Sequence, residues 1–147
     1  MWYDIPMDIA TDRNHIADIC RKAEVNFVAV FGSVARGAPN KKSDIDLAIS
    51  FRDGVSNEKR NSITLQIYKE LSDRFKRDDI EIVDVENVNS ALLGAIARDG
   101  KVLYEKKSGL FLRWVSFAKR VYVDSQWLRD LAFENISKQV SVWESRK

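Results

Sequence analysis

The chain predicts an α/β (α+β) fold: a mixed sheet of about four strands packed by helices, followed by a helical C-terminal tail. Three observations predict it. Strand-like and helix-like stretches alternate through the first hundred residues. Two apolar runs, Phe27-Val28-Ala29-Val30-Phe31 and Asp44 to Ser50, are too short for helices and rich in strand formers. Beyond about Lys107 the apolar residues recur only at helical spacing.

Residues from about Asp8 to Ala23 read as a helix, because Ile9, Ile16 and Ile19 with Ala10, Ala17 and Ala23 follow helical spacing. The run Phe27–Phe31 then reads as a buried strand ending at Gly32-Ser33. Ser33 is the predicted N-cap of a short helical turn through Arg36, stopped by Gly37. Ala38 to Ser43 is a polar loop, and Asp44 to Ser50 is the second strand. After a turn at Asp53-Gly54, Asn57 to about Phe75 reads as an amphipathic helix. Ile63, Ile67, Leu71 and Phe75 form its apolar stripe, and Glu58, Lys59, Arg60, Lys69 and Glu70 fall largely on other faces. Asp78 to Val85 is the third strand, with Ile80 and Ile82 on one side and Asp79, Glu81 and Val83 on the other. Asn89 caps a helix closed by Gly100, and Val102-Leu103-Tyr104 is the fourth strand. The tail is helical with a break near Val123-Asp124-Ser125. Its stripes are broad: Leu110, Trp114, Phe117 and Val121; Phe111, Val115, Ala118 and Tyr122; then Leu128, Ala132, Ile136, Val140 and Trp143. They either pack on the sheet or face another chain.

At 147 residues the chain is sized for a single domain, with a core over about 8–105 and the tail over about 107–147. A formal net charge of +2 gives no electrostatic ground for expecting direct nucleic-acid binding. Cys20 is alone, which excludes an internal disulfide and a cysteine-based zinc site and fits a reducing compartment. The first residues lack a basic segment followed by an apolar run, so no signal peptide is expected. No apolar stretch approaches about 18 residues, so no membrane span is expected either. These readings place the chain in the cytoplasm.

Asp44 and Asp46 demand an explanation. Asp is depleted in strands, and a buried ionised carboxylate is costly unless paired or metal-bound. At i and i+2 of one strand the two would share a face, about 6.6 Å apart along it, while Ile45, Leu47 and Ile49 point into a core. Ten residues earlier stands the Gly32-Ser33 pair, where a glycine lets a phosphate approach the backbone and a following turn offers free N–H groups. Glu81, between Ile80 and Ile82, is the best candidate for a third carboxylate, since an unpaired acid at mid-strand would be costly there. Asp79 and Asp84 read as solvated strand ends. Arg36 is either a phosphate partner or a structural arginine. A lone His15 without ligand partners is not a site.

The segment Gly32-Ser33-Val34-Ala35-Arg36-Gly37 with Ser43-Asp44-Ile45-Asp46-Leu47 resembles the signature of the minimal nucleotidyltransferases, a branch of the DNA polymerase β superfamily. Glu81-Ile82-Val83-Asp84-Val85 and Gly100-Lys101-Val102-Leu103-Tyr104 also resemble later segments of that family. The resemblance covers roughly residues 25 to 105. It departs at Glu81, where the family usually carries Asp. It implies a small polymerase-β-like core in which Asp44, Asp46 and Glu81 are catalytic and hold two Mg2+ ions, and Gly32, Ser33 and Arg36 bind the triphosphate of ATP. It further implies transfer of AMP to a hydroxyl. The acceptor would be a tyrosine of a HEPN-family ribonuclease toxin, which the chain would neutralise as an antitoxin and bind through its C-terminal helices. Two alternatives stand: transfer to a small molecule, as the aminoglycoside-modifying members perform, or an antitoxin that neutralises by binding alone.

Overall fold

The computed structural model describes residues 12–37 and 43–145. The beginning of the first expected helix, at Asp8, and the loop residues Lys41 and Lys42 lie outside the described residues. The elements run α1 (Arg13–Lys22), β1 (Val25–Phe31), α2 (Gly32–Ala35), β2 (Ile45–Phe51), α3 (Asn57–Phe75), β3 (Ile80–Asp84), α4 (Ser90–Asp99), β4 (Lys101–Glu105), α5 (Leu110–Asp124) and α6 (Gln126–Glu144). The strands form one mixed sheet in the order β3-β2-β1-β4. β1 is antiparallel to both β2 and β4. β2 and β3 are parallel, with α3 as the crossover that parallel pairing requires.

Side-chain alternation gives the sheet two apolar faces. Val28 and Val30 of β1 and Ile45, Leu47 and Ile49 of β2 pack with Ile16 and Cys20 of α1 and with Ile67 and Leu71 of α3. The opposite residues Phe27, Phe31 and Ala48 pack with Ile96 of α4, and Phe111 and Trp114 of α5 lie against them. Phe27 is the centre of that side, with ring centroids 5.2 Å from Phe111 and 5.5 Å from Trp114. Asp46 alternates with Leu47 and therefore belongs to the second face, as does Glu81, whose neighbours Ile80 and Ile82 join the first.

Caps fix the long helices where the sequence places them. Ser56 Oγ accepts from the Lys59 backbone N–H at 3.3 Å, and Asn89 Oδ1 accepts from Leu92 at 2.9 Å. Gly100 ends α4, and Ser125 separates α5 from α6. The short turn differs from the expected one. Ser33 is not its cap: α2 starts at Gly32, whose φ of +71° turns the chain one residue earlier, and Phe31 is the N-cap residue. β2 begins at Ile45, so Asp44 stands just before it, where the Ile45 N–H donates to the Asp79 carbonyl at 2.9 Å. β3 is shorter than expected. Asp78 and Asp79 belong to a turn in which Arg77 binds the Asp79 carboxylate at 2.6 and 2.7 Å and the Ser43 carbonyl at 2.8 Å.

Arg60 is a larger departure. It lies buried rather than on an outer face of α3. Its guanidinium binds Asp84 at 3.0 Å, Glu86 at 2.6 Å and the Val55 carbonyl at 3.0 Å, and lies over the Phe51 ring. Asp84 is thus no solvated strand end; it is half of a buried ion pair that ties α3 to β3.

The apolar tail divides its roles. Leu93 and Ala97 of α4 pack with Val115 and Ala118 of α5. Gly94 allows the close approach, since a Cβ there would collide with the Tyr122 ring. In α6 no residue is buried, and Trp127, Leu128, Leu131, Phe133, Ile136, Val140, Val142 and Trp143 are all exposed. Among the described residues no helix is long and apolar enough to cross a membrane.

Candidate active site

The candidate residues meet at one end of the sheet, where β1 ends and β2 and β3 begin. Phe31, the last residue of β1, pairs with Asp46, and Asp46 pairs with Glu81. Gly32 follows Phe31 directly. A Cβ at Gly32 would collide with Asp46 Oδ2, so the turn and the carboxylate are in contact and only glycine fits between them. Ser33, half-buried, is the next residue of the turn.

The three acids differ in setting. Asp46 is half-buried on an inner strand, Asp44 is exposed at its entry, and Glu81 is exposed on the edge strand β3. Glu81 therefore does not carry the burial cost expected of a mid-strand acid: the sheet edge leaves it in water. Burial pushes the Asp46 carboxyl above the usual aspartate range, the charges of Glu81 and Asp44 push it further, and the Arg36 charge opposes them. Two neighbouring carboxylates and one guanidinium thus act on Asp46. Asp79 does not join them, being neutralised by Arg77.

Among the described residues, no three His, Cys, Asp or Glu side chains form a group able to hold a metal ion by themselves. The acids are nonetheless the hard oxygen donors that Mg2+ takes. That ion binds through one or two carboxylates together with substrate phosphates rather than in an all-protein cage. The crowded charge at Asp46 fits a cation delivered with a polyphosphate.

Arg36 follows α2 and donates from Nη1 to Asp99 Oδ2 at 2.8 Å. The sequence reading left Asp99 out. Its signal was present: an acid in the last turn of a helix opposes the helix dipole, and such a placement calls for a cationic partner. A cavity of about 550 Å³ lies elsewhere, between α1 and β4, and is lined by Arg13, Arg21, Tyr104 and Lys106 among others. None of the candidate site residues lines it.

Residues 14–109 match the family described as polymerase beta, nucleotidyltransferase. The chain is 28% identical over 127 residues to a protein adenylyltransferase MntA of Aphanizomenon flos-aquae, covering 81% of this chain and 83% of that protein. To a protein adenylyltransferase MntA of Shewanella oneidensis it is 22% identical over 125 residues, covering 83% and 86%. A chain in a crystal structure of a toxin-antitoxin with AMP-PNP matches at TM-score 0.69 and 20% identity, over 86% of this chain and 98% of that one. A chain in the complex of a tri-AMPylated Shewanella oneidensis HEPN toxin with its MNT antitoxin matches at TM-score 0.54 and 20% identity, over 85% and 98%. At such identities the structural likeness speaks for the fold.

Proposed function

The chain belongs to the polymerase beta nucleotidyltransferase family, and from this premise we propose that it is a protein adenylyltransferase that moves AMP from ATP onto a tyrosine of a cognate HEPN ribonuclease toxin, acting as its antitoxin. The observation that carries the reading is the contact of Gly32 with Asp46, itself in register with Glu81: a phosphate-binding turn laid directly against paired acids.

In this reading Asp44, Asp46 and Glu81 hold Mg2+. When bound, the ions would supply charge stabilisation to the transferring phosphoryl group and would acidify the attacking hydroxyl. Gly32 and Ser33 give the triphosphate backbone N–H groups and a hydroxyl donor at the start of α2. Arg36 offsets phosphate charge. The tyrosine oxygen bonds to the α-phosphorus, the bond to the bridging oxygen breaks, and pyrophosphate leaves. In this reading the exposed Glu81 takes the tyrosine proton. The toxin docks on the apolar surface of α5 and α6, and the complex resides in the cytoplasm.

The exposed face of α6 supports a second reading, neutralisation by binding without transfer. One experiment separates the two. The protein is incubated with labelled ATP, magnesium and the toxin encoded beside it. Label on the toxin, lost in Asp44→Asn and Asp46→Asn together with neutralisation, supports transfer. An unlabelled toxin that both variants still neutralise overturns transfer and leaves binding.

A further inference from the structure

We propose that Asp99 is a positioning residue for the nucleotide site, holding the Arg36 guanidinium in place so that it meets the triphosphate already oriented. The inference rests on the reading that Arg36 faces the triphosphate.

Asp99 is the last residue of α4, an unfavourable place for an acid because the helix dipole turns its negative end there. Its side chain is only 7% exposed, yet it is held charged by two guanidinium groups. Arg98 binds it at 2.9 and 3.0 Å, but Arg98 is 69% exposed, and such a surface pair is worth little. Arg36 comes from 63 residues away and joins the end of α4 to the turn that carries Gly32 and Ser33.

The backbone around Asp99 is also fixed. A Cβ at Gly100 would collide with the Ile96 carbonyl and the Phe111 ring, so α4 ends against β4 and α5 without slack. Arg36 is half exposed and bonds Asp99 through Nη1, which leaves its outer side turned to solvent. Arg36 follows directly on the turn that contacts Asp46, and its charge acts on the Asp46 carboxyl as well as on Asp99. A buried carboxylate behind a half-exposed arginine removes rotamer freedom that phosphate binding would otherwise have to remove.

The test is calorimetric titration of the full chain with Mg-AMP-PNP. Asp99→Asn should bind about 5- to 20-fold more weakly, the loss expected when an oriented charge-assisted contact is released. Arg36→Gln should lose at least as much, and the double variant should be no worse than Arg36→Gln alone. Asp99→Glu, which keeps the charge one methylene further out, should recover part of the loss. In the transfer assay Asp99→Asn should raise KM for ATP more than it lowers kcat. Wild-type affinity in Asp99→Asn, with or without a lower melting temperature, would overturn the positioning role, as would losses that multiply in the double variant. Should Asp99→Asn fail to fold, Asp99→Ser takes its place, and wild-type affinity in that variant overturns the role. Failure of the wild type itself to bind is a different result and removes the reading of the site.

Discussion

Asp46 on β2 stands opposite Glu81 on β3 in parallel register, both on the sheet face that carries α4 and α5. Neighbouring strands lie about 4.8 Å apart, so the two like charges sit side by side. Like charges placed across adjacent strands destabilise a sheet. This arrangement is costly for folding, and on the proposed reading a cation with its phosphate relieves that cost.

Asp46→Asn should separate those effects. In the fold the Asp46 carboxyl titrates above its ordinary value, because of burial first and then Glu81 and Asp44. The folded state therefore holds this proton more tightly than the unfolded chain does. The penalty of charging is absent below the unfolded value of about 4 and complete above the folded one. With chelator present, Asp46→Asn should melt higher than wild type at pH 7 and equal to it at pH 3. Transfer activity should fall by about 10³-fold or more, since charge stabilisation of several kcal/mol is lost.

Glu81 offers a graded test. Glu81→Gln removes the charge and should lower kcat by about 10²-fold or more. Glu81→Asp retains it one methylene shorter on an edge strand, and should stay within about tenfold of wild type. Equal activity of Glu81→Gln and wild type would show that Glu81 has no part in the chemistry.

Gly32→Ala introduces two faults at once. The residue has φ +71°, and the added methyl meets Asp46 Oδ2. The strain costs about 1–2 kcal/mol, a drop of about 5 °C in melting temperature for a chain of this size. Because Asp46 must move, kcat should fall more steeply than stability. A variant destabilised but fully active would contradict the contact.

Arg60→Ala tests the scaffold. It leaves Asp84 without its buried partner and uncovers the Phe51 ring. Breaking such a pair costs about 3 kcal/mol, which corresponds to about 10 °C. Denaturant melts check the figure. Nucleotide affinity should fall little, because Arg60 braces the far end of β3 from Glu81.

Much of the fold was legible because local rules agreed with tertiary ones. Asn57–Phe75 carried a clear apolar stripe, and Asn89 and Gly100 bounded α4 from both ends. The pairing of Asp-x-Asp with a glycine turn also stood out, since acids interrupt an apolar run only for a reason. Four features escaped. Ser33 has the chemistry of a cap, but a positive φ at Gly32 moves the start of the turn. Arg60 looked solvated because helical periodicity says nothing of an acid 24 residues on. Glu81 looked buried because strand order, and with it the sheet edge, is not written in any single strand. Asp99 was overlooked for the same reason as Arg60: its partner Arg36 is remote in sequence.

The bare surface of α6 has a consequence for how the chain exists in solution. A lone helix of nineteen residues is marginal in water, and this one gains nothing from burial of its own side chains. On the proposed reading, the toxin that covers it also holds it helical, and by mass action the ordered fraction rises with the toxin's concentration. Produced in excess, the chain presents two tryptophans, a phenylalanine and a row of aliphatics to other copies of itself. On the proposed reading, matched expression of chain and toxin is then a condition of solubility as much as of regulation.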